Sequence, residues 1–563
     1  MNTPPKIPVI RAALILVMPA IGGIAVAHHS ARTGSHMKLP IHSTWLFLSM
    51  TLAVCVPAVP CEITDFRSLA EESPHGVALA SAERVDDVGG YCLLEGVIAN
   101  TEDGESQIRF RFRFPDAAAW NGRFLMGGNG GTAGRFQRDH LSLLALQLGY
   151  ATGQTDTGHV RSSSEDWVMK ELADGTVVPN NVAIEDFGHR SVHLTTVVGK
   201  QFAEGYYARA PDHSYFRGCS TGGRQGLMAM QRYPGDFDGI IAGAPVFSLT
   251  RLNMSTLWTA QQVARLNAED QPLAGEQLTL LQDAVLDACD AIDGIEDQII
   301  DDPRQCRVDP GILQCSGSES PPQCLTDSQV EFVRTIYDGP VTTSGERIYP
   351  GRLHGGEYGR GMGVGGWARF FAGACATPEG TGRCDFFARA WHQDPDVDLL
   401  NDFSIDNPDD VVAADSSYYS AVTRADNPDV TPFVQRGGKA ILYHGWSDTV
   451  VTATPTVELY EAMESTVSRK RGKSDFRDHV RLFMAPGMAH CGGGYGPSID
   501  FHPVLVALDD WVTHDRAPDS ILATHDGGRG LSRPLCPYPQ VARLVEPGLD
   551  TNAASSFDCV DPE

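Results

Sequence analysis

The chain has 563 residues, with 44 Lys and Arg against 71 Asp and Glu, a formal charge of −27. No basic stripe interrupts that acidity, which excludes a nucleic-acid binder, because phosphate neutralisation needs clustered cations. With 42% hydrophobic and 20% charged residues the chain is globular, and its 58 glycines and 35 prolines follow no collagen or solenoid period.

Two apolar stretches come first, 13–27 and 44–58, and neither is the roughly 20 uninterrupted apolar residues of a membrane span. The second reads as a secretory signal. Met37-Lys38 supplies a start and a charge, 45–56 the apolar region, and Val56-Pro57-Ala58 a small-residue cleavage site. The competing reading is a retained anchor; Leu52-Ala53-Val54-Cys55 is a poor lipoprotein signal because Val is large before the cysteine. Residues 1–58 are then extension and signal, and the mature chain is secreted or periplasmic, without stable membrane insertion.

Strand patterns follow. Residues 108–114 alternate apolar and basic, as a strand with one exposed face would, and 121–126 lead an apolar run into a glycine-rich loop. A helix-to-strand pattern covers 141–152, and an amphipathic helix 192–207. Residues 215–218 enter a sharp turn, 224–233 have helical spacing, and 239–245 read as a buried strand. Strand, helix and strand in that order imply a parallel sheet. From 246 to 429 glycine-rich loops and clustered acids replace the pattern, the mark of a separate subdomain. It then resumes with a strand at 439–444, a helix at 455–463, a strand at 480–484 and a helix at 503–512, before a Pro- and Gly-rich tail from 517.

Of 13 cysteines, cleavage after Ala58 removes Cys55 and leaves an even dozen, read most simply as six disulfides of an exported chain. Proximity suggests Cys289 with Cys306, Cys315 with Cys324, Cys375 with Cys384, Cys536 with Cys559, and Cys61 with Cys92. Cys219 and Cys491 remain, far apart. Zinc is disfavoured because no C-x-x-C spacing exists.

Gly218-Cys219-Ser220-Thr221-Gly222 satisfies G-x-S-x-G between a predicted strand and a predicted helix, the context a nucleophilic serine requires. Its partners are expected in the order acid, then histidine. Asp448 follows the strand at 440–445, and His490 follows that at 481–484 through a short loop. His444 and His502 are rival bases. The leftover cysteines tip the choice, since a Cys219–Cys491 bond would place Ser220 beside His490.

With Cys219-Ser220, Asp448 and His490-Cys491 in place, residues 61 to 563 resemble the tannase and feruloyl esterase family, which also contains an enzyme hydrolysing mono(2-hydroxyethyl) terephthalate. The resemblance implies an α/β-hydrolase core (59–245 and 430–563) with a large inserted lid domain (246–429). It implies an oxyanion hole from the Thr221 N–H and one donor of the glycine loop, Gly131 ahead of Gly130. It also implies structural Ca2+ in the lid, held by Asp290, Asp293 and Asp297 with the carbonyls of Ile295 and Ile299; composition alone reads the same stretch as a solvated acidic loop.

The implied activity is serine hydrolysis of a small aromatic ester, feruloyl, galloyl or terephthaloyl. Trp367, Phe370, Phe371, Phe386, Phe387 and Trp391 either line its pocket or form lid core, Arg383 aligns with a lid arginine that pairs a substrate carboxylate, and Val451 offers no aromatic clamp. The alternatives are a general carboxylesterase of small aliphatic esters and a non-catalytic, calcium-stabilised extracellular binding protein.

Overall fold

The computed structural model describes residues 61–99, 105–160, 166–273, 275–357, 366–367, 391, 398–471, 473–525 and 530–562. Residues 1–58, Phe370, Phe371, Cys375, Arg383, Cys384, Phe386 and Phe387 lie outside the described residues.

Nine strands make the main sheet: β1 (Val77–Val85), β2 (Tyr91–Ile98), β3 (Ile108–Pro115), β4 (Arg123–Gly127), β5 (Ala151–Thr155) and, after a small hairpin of β6 (Met169–Glu171) and β7 (Val177–Pro179), β8 (His213–Cys219), β9 (Gly239–Gly243), β10 (Lys439–Gly445) and β11 (Val480–Ala485). Their order is β1-β2-β3-β5-β4-β8-β9-β10-β11. The six from β5 to β11 run parallel, and β3, β2 and β1 extend them in antiparallel pairs.

Sequence explains the centre directly. β9 (GIIAG) and β10 (KAILYHG) are buried along their whole length, as parallel strands covered on both faces must be. Successive side chains then divide between two cores by the strand period of two. Phe124, Met126, Ile240, Ala242, Leu442 and Leu482 pack with Val198, Phe202, Leu227 and Tyr460 on one face. Leu125, Ile241, Ile441, Tyr443 and Phe483 pack with Leu505, Leu508 and Trp511 on the other. Each such Leu, Ile or Phe contributes about 1.5–3 kcal/mol of burial.

β3 departs from the expected exposed face. Arg113 is buried and donates to Gln154 and Asp139, while Arg111 pairs with Glu95 and Arg109 with Asp156. Glu95 on β2, Asp156 just after β5 and Asp139 at the start of the helix Asp139–Gln147 supply carboxylates to the arginines that period-two reasoning assigned to water.

The segment between β9 and β10 adds no strand to the main sheet among the described residues. Its helices Leu249–Ala268, Gly275–Cys289 and Asp327–Asp338 enclose a core of their own, which includes Leu257, Leu281, Val333, Trp367 and Trp391. Trp367 and Trp391 are therefore core, not pocket lining. The tail pairs β12 (Ser498–Ile499), β13 (Ile521–Thr524) and β14 (Ser532–Leu535), then β15 (Val541–Leu544) with β16 (Phe557–Val560). No helix among the described residues is long and apolar enough to cross a membrane.

Candidate active site

Because β4, β8, β10 and β11 run parallel, the loops that follow them leave from one edge of the sheet, where open α/β sheets present their ligand sites. β8 ends at Cys219 and a helix begins at Thr221, so Ser220 alone makes the turn. It does so at φ 67°, ψ −123°, a region that costs a non-glycine residue roughly 1–3 kcal/mol. The flanking glycines are dictated by crowding: a Cβ on Gly218 would stand 2.4 Å from the Gly222 carbonyl oxygen, and one on Gly222 2.7 Å from that of Asn129.

Asp448 is buried in the loop after β10. Its Oδ1 accepts the backbone N–H groups of Val450 and Val451, each at 2.9 Å, and its Oδ2 accepts His490 Nδ1–H at 2.7 Å. Burial alone would raise its pKa, but the attraction of His490 and hydrogen bonds from His444 and His490 hold it well below the usual carboxylate range. An ionised carboxylate only accepts, so the His490 proton sits on Nδ1 and Nε2 keeps the lone pair a base needs.

Cys219 and Cys491 are bonded, with Cα atoms 6.0 Å apart, which sets Ser220 beside His490. No Ser220–His490 hydrogen bond is formed among the described residues, and in free enzymes that bond commonly tightens only with substrate. Cys61–Cys92, Cys289–Cys306, Cys315–Cys324 and Cys536–Cys559 are also bonded. The Cys375–Cys384 pair lies outside the described residues.

Of the rival bases, His502 is exposed on the helix Phe501–His514. His444 is wholly buried behind the acid: Nε2 lies 2.8 Å from the Val451 carbonyl oxygen and 3.2 Å from Asp448 Oδ2, and Nδ1 2.8 Å from Thr456 Oγ1. It braces Asp448 and cannot reach Ser220 as a base. The four-residue spacing of His444 and Asp448 across the strand end was the available signal.

The glycine loop reaches the same edge. Thr221 Oγ1 donates to the Gly131 carbonyl at 2.7 Å. The Thr221 N–H opens its helix and has no intrahelical acceptor. Gly130 does not serve as the second donor, because its N–H already donates to Gln137 Oε1 at 2.9 Å. Gly131 therefore carries that candidacy. Gln137 and His159, which secure this loop, carried no motif by which sequence reasoning would find them.

The acidic loop meets this edge at its C-terminal end, where a Cβ on Gly487 in the His490 loop would stand 3.3 Å from Ile299 Cγ2. Asp290 accepts the backbone N–H groups of Asp297, Gln298 and Ile299 at 3.3, 2.9 and 3.1 Å, Asp293 accepts that of Ile295, and Asp297 pairs with Arg533. Desolvation, then repulsion by Asp297 and Asp290, pushes Asp293 up to about 6. Desolvation, then repulsion by Asp293 and Asp297, raises Asp301 well above its usual range. Among the described residues no three His, Cys, Asp or Glu side chains converge as a metal cluster. Crowded hard oxygens whose negative charge Arg533 and Arg543 offset only in part fit calcium in chemistry, although the carboxylates do not by themselves form a closed cage.

A family model of tannase and feruloyl esterase matches residues 92–560. The chain belongs to that family. It is 34% identical over 547 residues to a mono(2-hydroxyethyl) terephthalate hydrolase of Piscinibacter sakaiensis, covering 86% of this chain and 87% of that one. It is 28% identical over 521 residues to a probable feruloyl esterase B-1 of Aspergillus oryzae, covering 86% and 89%. The crystal structure of feruloyl esterase B from Aspergillus oryzae superposes with a TM-score of 0.75 at 25% identity, covering 88% of this chain and 99% of that one. A tannin acyl hydrolase from Aspergillus niger shares the fold, at a TM-score of 0.68 and 21% identity over 86% and 90%. This family member is thus a carboxylic ester hydrolase with an α/β-hydrolase fold.

Proposed function

We propose that the chain hydrolyses small esters of aromatic acids through an acyl-enzyme on Ser220. The observation that carries the mechanism is the Asp448–His490 hydrogen bond set beside Ser220 by the Cys219–Cys491 bond. His490 Nε2 takes the Ser220 proton as Oγ attacks the ester carbonyl, and Asp448 stabilises the imidazolium through Nδ1–H. The oxyanion of the tetrahedral intermediate is received by the N–H groups of Thr221 and Gly131. His490 then protonates the departing alcohol, and water repeats the cycle to release the acid. The aromatic acyl group is supported by relatives named for feruloyl and terephthalate esters.

The segment from 246 to 429 acts in this reading as the lid. Asp290, Asp293 and Asp297, with the carbonyls of Ile295 and Ile299, would hold calcium in it. When bound, the ion supplies neutralisation of clustered carboxylates and takes no part in the acyl transfer. Export through the segment 37–58 is supported by the five disulfides among the described residues.

The test is turnover of methyl ferulate, methyl gallate, mono(2-hydroxyethyl) terephthalate and p-nitrophenyl acetate by the wild type and Ser220→Ala. An aromatic ester is preferred, and Ser220→Ala loses about 10⁵–10⁶-fold in kcat. Turnover of p-nitrophenyl acetate alone would instead mark a general carboxylesterase. Unchanged activity in Ser220→Ala would remove the mechanism.

A further inference from the structure

The glycine loop is held peptide by peptide by side chains from outside it. Gln225 Oε1 accepts the Asn129 N–H at 2.9 Å. Gln137 grips both sides of Gly130, accepting its N–H at 2.9 Å and donating to its carbonyl at 3.1 Å. His159 Nε2 lies 2.8 Å from the Thr132 carbonyl oxygen, and its ring is fixed by stacking on Trp167 at 4.0 Å. The remaining grip, on the Gly131 carbonyl, comes from Thr221 Oγ1 at 2.7 Å.

That last contact differs from the others in where it originates. Thr221 carries one proposed oxyanion donor on its backbone, and its hydroxyl holds the residue that carries the other. The Gly131 N–H lies in the Gly130–Gly131 peptide, whose carbonyl Gln137 holds, and the Gly131 carbonyl lies in the next peptide, which Thr221 holds; at φ +57° with open space where a Cβ would stand, Gly131 has no side-chain packing of its own to keep the two in register. Thr221 itself is 2% exposed and begins the helix that Ser220 caps.

We propose that the Thr221 hydroxyl is a positioning group: by holding the Gly131–Thr132 peptide while Gln137 holds the Gly130–Gly131 peptide, it fixes Gly131 at its α-carbon so that the Gly131 and Thr221 N–H groups converge on one oxyanion. This deepens the acyl-enzyme reading and rests on it. Donors must stand within roughly 2.7–3.1 Å of the developing charge, and loss of one costs about 10²–10³-fold in kcat. A donor that is loosened, not lost, forfeits part of that.

The experiment compares wild type with Thr221→Val, Thr221→Ala and Thr221→Ser, measuring kcat, KM, the acylation burst on a p-nitrophenyl ester and the thermal midpoint. Both hydroxyl-free variants keep the backbone amide. Their kcat falls about 10–100-fold while KM stays within about twofold. Burst and steady-state rates fall together, because both tetrahedral intermediates use one oxyanion hole. Thr221→Ser restores kcat to within about threefold of wild type. The proposal is overturned by wild-type kcat in Val or Ala, by a loss confined to KM, or by a Ser variant no better than Ala at equal thermal midpoint. If Val fails to fold, the Ala and Ser pair decides. Ser220→Ala, run alongside, separates the two failures: if it is inactive and the hydroxyl-free variants are not impaired, only the positioning role falls.

Discussion

Asp448, at the sheet edge, and Glu357, in the segment between β9 and β10, are both buried carboxylates, yet their surroundings drive them in opposite directions. Asp448 receives two backbone N–H groups and two imidazoles, and is held well below the carboxylate range against its burial. Glu357 accepts the Tyr337 hydroxyl at 2.9 Å and the Gly355 N–H at 3.0 Å, and no cation among the described residues pairs with it. Desolvation therefore pushes it up to about 7, against which those hydrogen bonds work. The sheet edge is built to keep a charge buried; the segment beside it buries carboxylates whose charge only a proton or a cation can relieve.

The largest effect should come from breaking the first half of that contrast. Asp448→Asn puts an amide NH2 where His490 Nδ1–H and His444 Nε2 now converge, so donor faces donor and His490 is driven to the wrong tautomer. A kcat loss on the order of 10⁴-fold is expected, with KM little changed, and steady-state kinetics will read it. A loss below about tenfold would mean that the imidazole is oriented by something other than Asp448.

Calcium sharpens the second half. If the ion relieves the repulsion among Asp290, Asp293, Asp297 and Asp301, chelation should lower the thermal midpoint by about 2–3 °C at calcium levels near 100 times Kd. Asp293→Asn should lower the starting midpoint and abolish its calcium dependence. A midpoint indifferent to chelator would leave protonation as the relief for these carboxylates.

How much was legible in the sequence follows the same division. The central strands announced themselves because both faces are apolar, and Ser220 because its turn needs glycines at fixed places. The helix at 501–514 and the strand at 480–485 were visible from period alone. Arg113 was misplaced because burial of an arginine depends on Gln154 and Asp139, distant in sequence. His444 was seen as a rival base because its four-residue spacing to Asp448 shows that the two are near but not which side of the acid the ring takes. Gln137, His159 and Glu357 act through contacts with backbone groups, which leave no spacing signature.

Glu357 gives the smallest effect and the most specific one. It lies behind the acid loop: a Cβ on neighbouring Gly356 would stand 2.7 Å from Thr449 Cγ2, while Arg352 Nε and the Gly366 N–H donate to Thr449 O and Oγ1 at 3.1 and 3.0 Å. Raised from 4.5 to about 7, the folded carboxyl binds its proton more tightly than the unfolded one. The unfolded chain therefore releases that proton first, and folding stability falls as pH rises from about 4.5 to 7, then levels. The full span is at most about 3 kcal/mol. Glu357→Gln keeps an acceptor for Tyr337 and removes the titration. Its thermal midpoint should match wild type near pH 4.5 and exceed it by a few degrees at pH 8, with kcat on small esters unaffected at either pH. A variant less stable than wild type at pH 8 would show that the carboxylate is held by a cation after all, and would place Glu357 with Asp448 instead of against it.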